Sequence, residues 1–220
     1  MSGRTGATCI NFGCGQSPTA GWINYDNSPA ILLARWPWLT ALLSQLHLIN
    51  QANLDFIAFC RGQAIGYADA CRPLPHATGS VDVIYTSHML EHLFREDAET
   101  FLRECHRVLR PGGVLRLAVP DLALDVKEYL KHGDADLFLA GLEFDLARPH
   151  GLGDRLRRAL LGTRGHRYLY DQRSLTALVA ECGFVDVEAV LPGTTRIKDH
   201  GKLDLWERSS QGWYIEATRP

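Results

Sequence analysis

A chain of 220 residues, 46% of them apolar, can bury the core of one large α/β domain and is short for two. Its charged fraction of 22% and formal net charge of −2 argue against a nucleic-acid partner, which usually asks for a basic surface. The six cysteines contain no C-x-x-C pair, so neither a disulfide framework nor a cysteine-held metal is expected, and Cys9, Cys105 and Cys182 read as small buried hydrophobes.

Residues 7–12 read as a buried strand closed by the turn Gly13, Cys14, Gly15. A second short strand covers 22–26 and is stopped by Asn27, Ser28 and Pro29. The Leu- and Trp-rich stretch 30–60 is helical in pieces, with Pro37 opening a second helix. Arg35, Pro37, Gln45 and His47 interrupt its greasiest part, so no membrane span is expected. The first residues lack the apolar core of a signal peptide, and the expectation is a cytoplasmic chain. A third strand ends before Asp69, and a fourth covers 81–86. From 97 to 109 the apolar residues Ala98, Phe101, Leu102, Cys105, Val108 and Leu109 form one helical stripe. Pro111, Gly112 and Gly113 stop that helix, and 114–119 is a strand. After a less patterned middle, Asp171 caps a helix that ends at Gly183, with strands at 184–190 and 213–217. Alternating strands and helices imply a mostly parallel sheet covered on both faces, with a ligand site at the strands' carboxyl ends.

The G-x-G turn alone signals a tight turn as readily as a ligand cradle, since glycine both permits positive φ and lets a ligand approach the backbone. Two carboxylates add weight. Asp26 ends the second strand, where it can accept hydrogen bonds from both hydroxyls of a ribose, and Asp69 ends the third, where it can accept from an adenine amino group. Taken singly, each is as readily a turn or cap residue.

In order, these segments resemble the class I S-adenosylmethionine (SAM) dependent methyltransferases. Residues 10–15 (INFGCG) are similar to that family's glycine-rich motif, and 21–26 (GWINYD) to its second strand with an acidic ribose ligand. Asp69 and Ala70 resemble the adenine-side motif, residues 79–93 the fourth-strand motif, and 102–115, with LRPGG, the helix–turn–strand unit. The resemblance implies a Rossmann-like, seven-stranded sheet with its last strand antiparallel, in a single domain over 1–220. It implies SAM as cofactor, held by Asn11, Gly13, Cys14, Gly15, Asp26, Asp69, Ala70 and Ser87. The family's usual acid in the first motif is Asn11 here, and its third glycine is Ser17. Six residues, 16–21, are too few for a helical crossover, so the first helix must shrink to a loop. That pattern resembles a subgroup of small bacterial methyltransferases.

The string His88, Met89, Leu90, Glu91, His92 also matches H-x-x-E-H, an inverted zinc-peptidase signature, with both histidines one turn apart if helical. A zinc hydrolase would leave the glycine turn, Asp26 and LRPGG unexplained, so no metal is expected. On the methyltransferase reading His88 is a candidate base, since an ordinary imidazole titrates near neutrality. The 148–173 segment holds seven arginines and two histidines against two aspartates. It is either a solvated face or, over about 140–170, a cradle for an anionic acceptor. On the second reading His166 and Arg167 are catalytic candidates, and Tyr25, Arg167 and Tyr170 contact the substrate. The acceptor is expected to be a small molecule methylated on oxygen, such as a sugar, a natural-product intermediate or a phosphonate. N- or C-methylation and SAM binding without turnover remain open. The 30–60 segment is a lid, a surface for a homodimer or an extra packing layer.

Overall fold

A computed structural model describes residues 6–144, 151, 153, 155 and 165–220. One sheet holds seven strands in the order β3-β2-β1-β4-β5-β7-β6. They are β1 (Cys9–Phe12), β2 (Ile23–Asp26), β3 (Ile65–Tyr67), β4 (Val81–Ser87), β5 (Leu109–Pro120), β6 (Val185–Val190) and β7 (Gly212–Thr218). Pairings from β3 through β5 are parallel, and β7 runs antiparallel to both β5 and β6. The expected mostly parallel Rossmann-like sheet is present. Its strand order reverses between β1 and β4, and a crevice opens at such a reversal, outside the strands' carboxyl ends.

The described helices are α1 (Pro29–Ala34), α2 (Pro37–Gln45), α3 (Gln51–Arg61), α4 (Arg95–Val108), α5 (Leu122–His132), α6 (Ala135–Gly141) and α7 (Gln172–Glu181). On α4 the expected stripe is fully buried: Ala98, Phe101, Leu102, Cys105 and Val108 are all 0% exposed. The larger of these contribute about 1.5–3 kcal/mol each on burial. They meet Ile84, Leu115 and Leu117 of the sheet and Leu175, Leu178 and Val179 of α7 in the main core. Asp171 caps α7 as expected, in a reciprocal capping box with Ser174. On the opposite side, Val83, Tyr85, Ala118 and Tyr214 are covered by Ile197 and Leu203 of the β6–β7 connection. Arg116 and Glu216 form a fully buried ion pair 2.7 Å long, and Thr195 also donates to Glu216.

Three local outcomes bear on the site. Residues 13–22 hold no helix, and two buried asparagines satisfy the backbone that a helix would have satisfied. Asn11 donates to Ser17 O and Thr19 Oγ1, both at 3.0 Å. Asn24 accepts from Thr19 N–H at 2.7 Å and donates to Thr19 O and Trp22 O. Second, the 30–60 segment packs Ala30, Ile31, Phe56, Ile57 and Cys60 against Ile65 of β3. Its outer face leaves Trp36 and Trp38 more than half exposed.

Third, β5 starts earlier than the sequence suggests. Val81 pairs with Leu109 and Val83 with Val114, so LRPGG bulges out of a continuous strand instead of standing before it. A Cβ on Gly113 would stand 2.9 Å from Arg110 O and 3.1 Å from Asp82 O, which is why glycine is needed there. The helices α5 and α6 were not expected. Neither buries a residue, although Leu122, Val126, Tyr129 and Leu130 fall on one face of α5. Among the described residues no helix is long and apolar enough to cross a membrane.

Candidate functional site

A cleft of about 780 Å³ opens at the carboxyl ends of β1, β2 and β4. Backbone geometry forms one wall. Gly13 and Gly15 both adopt positive φ, at 72° and 48°. Gly13 and Cys14 N–H donate to Tyr25 O at 2.8 and 3.0 Å, pinning the turn to the end of β2. A Cβ on Gly13 would stand 2.5 Å from Met89 Cγ, so this turn and the β4 end touch with no room to spare. Asp26 joins the two loops: one carboxylate oxygen accepts from Gly15 N–H at 2.9 Å, the other from Ser28 N–H at 2.8 Å. Ser28 in turn caps α1.

Side chains form the facing wall. β4 ends at Ser87, and His88 then turns the chain with φ 48°, its N–H bonded to Ala118 O at 2.9 Å. Leu90–His92 is a single 3-10 turn. His88 and His92 therefore share no helix, and the arrangement is not that of the inverted zinc peptidases. Glu91 is fully buried, with His88 Nδ1 3.5 Å from its Oε1. Its backbone carbonyl accepts from Arg167 N–H at 2.7 Å and Tyr168 N–H at 3.1 Å, fastening the 165–168 segment onto the turn. That brings the His166 ring to 5.0 Å from His92, and His166 Nε2 to 3.9 Å from both Glu91 Oε1 and Glu143 Oε2. Burial dominates the electrostatics. It pushes the Glu91 carboxyl up to about 8 and the His88 imidazole down to about 3, with the Arg208 charge adding to the fall of His88. The neutrality-range pKa expected for His88 is thus lost to desolvation.

The cleft is lined by Asn11, Gly13, Cys14, Gly15, Asp26, Ala70, Ser87 and His88 of the expected residues. Asp69 is not among its lining; it accepts from Cys71 N–H at 2.9 Å and lies 3.6 Å from Arg72. The Tyr25 hydroxyl meets His76 Nε2 at 3.1 Å, also away from the lining. Tyr170 is 1% exposed and belongs to the main core, so its ring is packing the domain and is not open to a substrate. Arg167 is exposed, its guanidinium 5.4 Å from the Phe94 ring. Of the arginine-rich stretch, Arg148, Arg157, Arg158 and Arg164, with His150, lie outside the described residues.

Sequence reasoning missed Met89, Glu207 and Arg208, which also line the cleft. Glu207 is held there by tyrosines from two strands: Tyr85 Oη donates to its carboxylate at 2.7 Å and Tyr214 Oη to its carbonyl at 2.6 Å. No motif marks a residue positioned from the far end of the chain. Glu91 did carry a signal, as a lone acid in the apolar string Met89, Leu90, Glu91, His92, Leu93.

The sequence profile of the family described as "Methyltransferase domain" matches residues 10–117. The chain is 31% identical over 116 residues to a ubiquinone biosynthesis O-methyltransferase of Caulobacter sp. (strain K31), covering 42% of this chain and 45% of that protein. It is 36% identical over 105 residues to a malonyl-[acyl-carrier protein] O-methyltransferase of Laribacter hongkongensis, covering 48% of this chain and 34% of that protein. The chain thus spans half or less of the length of the curated relatives it matches. The crystal structure of a SAM-dependent methyltransferase from Methanosarcina mazei shares its fold with a TM-score of 0.52 at 15% identity, over 96% of this chain and 92% of that one. Strand order, glycine turn and β2 carboxylate agree with the match over residues 10–117, and the chain has the fold of the class I SAM-dependent methyltransferases.

Proposed function

We propose that this chain transfers the SAM methyl group to an oxygen of a small acceptor. The observation that carries the reading is the two-walled cleft, with the Asp26 carboxylate on one wall and Ser87, His88 and His92 on the other. Its volume lies in the range of about 300–1,000 Å³ usual for cofactor sites. The residues fit the cofactor: Gly15 leaves the backbone bare beside open space, and Asp26 offers a carboxylate whose remaining lone pairs can accept from ribose hydroxyls. When bound, SAM supplies a methyl made electrophilic by its positively charged sulfur. The protein's part is to hold that methyl and the acceptor oxygen in line and close together.

On this reading Ser87 and His88, at the β4 end, stand beside the transferring methyl. The names of the two curated relatives above support oxygen as the acceptor atom. An anionic handle is supported by Arg208 in the cleft lining and by exposed Arg167 beside the His166 segment. Calorimetry should find one SAM per chain, and a screen with methyl-labelled SAM should label hydroxyl acceptors, acidic ones first. Absence of SAM binding would sink the reading, and label appearing only on nitrogen or carbon would change its acceptor atom.

A further inference from the structure

The Glu91, His92 and His166 side chains meet just behind the cleft wall, which His92 lines. Each offers one ligand atom, and these atoms all lie within 4.8 Å of one another. We propose that Glu91, His92 and His166 bind a divalent first-row metal ion, zinc foremost, beside the methyl-transfer site. The choice of site rests on the SAM-cleft reading above only for its role; the ion binding itself does not.

Three observations carry it. Glu91 is 0% exposed, and neither carboxylate oxygen has a partner in hydrogen-bonding geometry beyond its own amide nearby. A buried carboxylate left so costs free energy unless something pairs with it, and a cation does so directly. His92 Nδ1 faces Gly165 O at 3.3 Å, and a carbonyl only accepts. The proton therefore sits on Nδ1 and leaves the Nε2 lone pair free, which is how metal-bound histidines are usually held. Third, His166 Nε2 stands 3.9 Å from Glu91 Oε1. That is too long for a hydrogen bond. It is within the roughly 4.2 Å span of two ligands each about 2.1 Å from one ion.

Two imidazoles and a carboxylate suit zinc, iron(II) or manganese better than magnesium or calcium, which prefer all-oxygen shells. Glu143 Oε2, 3.9 Å from His166 Nε2, can supply a fourth ligand from the solvent side. Glu143 and Asp125 load this corner with negative charge, and Arg208 faces it as the opposing cation. His92 also lines the cleft, so an open coordination position there would receive an acceptor hydroxyl or carboxylate.

The test uses the whole chain purified without chelator, then stripped and titrated with Zn²⁺ or Co²⁺ alone. The expectation is one ion per chain, with visible Co²⁺ bands whose intensity reports a four- or five-coordinate site. Binding should weaken at least tenfold in Glu91→Gln and in His166→Asn, two near-isosteric changes. Circular dichroism and SAM calorimetry check that each variant is folded. A folded, SAM-binding wild type with no stoichiometric Zn²⁺ or Co²⁺ would overturn the metal and leave the methyltransferase reading standing. So would equal affinity in both variants. Metal binding without SAM binding would do the reverse.

Discussion

The two walls of the cleft are built in different ways. The wall at the β1 and β2 ends is mostly backbone: two glycines with positive φ, amides donating to Tyr25 O, and one carboxylate tying the loops together. The wall after β4 is mostly side chain: His88, Met89 and His92 line it, and Glu91 and His166, from segments far apart in sequence, pack behind them. Backbone sites depend on conformation, so they need particular residues at fixed local spacing. Side-chain sites depend on tertiary approach and leave little local pattern. The first wall should therefore fail through small changes of shape, and the second through changes of chemistry.

The largest expected effect lies on the backbone wall. Gly13→Val adds a branched side chain where even a Cβ meets Met89 at 2.5 Å, on a residue with φ 72°. Strain and overpacking of this kind cost about 1–3 kcal/mol each. SAM affinity by calorimetry should fall at least thirtyfold, with a lower melting temperature. Wild-type affinity in a folded variant would mean that the turn does not shape the site.

Asp26→Ala comes next. It removes the proposed ribose acceptor together with the acceptor for Gly15 and Ser28 N–H. Charge-assisted bonds of this kind contribute about 1.5–3 kcal/mol, so SAM should bind about ten- to a hundredfold more weakly. An unchanged dissociation constant would remove Asp26 from the cofactor site.

Asn11→Asp sharpens the comparison, because it removes the donors that support that wall. The amide donates to two oxygens in a site 2% exposed; a carboxylate would face both without a proton to give. The cost to stability by denaturant unfolding should be about 1–3 kcal/mol. A variant as stable as the parent would show that the Asn11 donors do not support the loop. The same observation explains why an acid is absent from this motif: the helix-free loop after β1 needs a donor at that position.

What could be read in advance follows the same division. The helix-free 13–22 loop was legible because six residues are too few for a helical crossover. The sheet, the α4 stripe and the α7 cap were legible because each rests on local periodicity or on a cap or turn residue. Asp26 was legible for the same reason, and it lines the cleft. Asp69 followed the same rule, yet its carboxylate is turned to Cys71 N–H and Arg72. On the side-chain wall, H-x-x-E-H drew notice, but with the wrong partners: His92 faces His166 and not His88, because β4 runs on to Ser87 and the chain reverses at His88. No spacing rule could supply His166, whose place is set by two backbone bonds to Glu91 O from the residues after it.

The smallest effect tests whether the walls are independent. Asp171 caps α7 directly after the 165–170 segment that carries His166, accepting from Ser174 N–H at 2.7 Å. Asp171→Ala should cost about 1 kcal/mol of stability, a usual value for a lost N-cap. The Ser174 bonds hold the Asp171 carboxyl below its ordinary value of 3.8. A depressed folded-state pKa stabilises the fold above the unfolded value and stops doing so as pH falls through the folded one. The stability gap between parent and variant should therefore be constant near neutrality, shrink below pH 3.8 and close in stronger acid. SAM affinity should not move, since Asp26 and the glycine turn gain nothing from α7. Metal or acceptor affinity is the quantity free to drop, through looser placement of His166. A loss of SAM affinity matching that of Asp26→Ala would mean that the two walls are one cooperative unit, and the division between backbone-built and side-chain-built halves would fall.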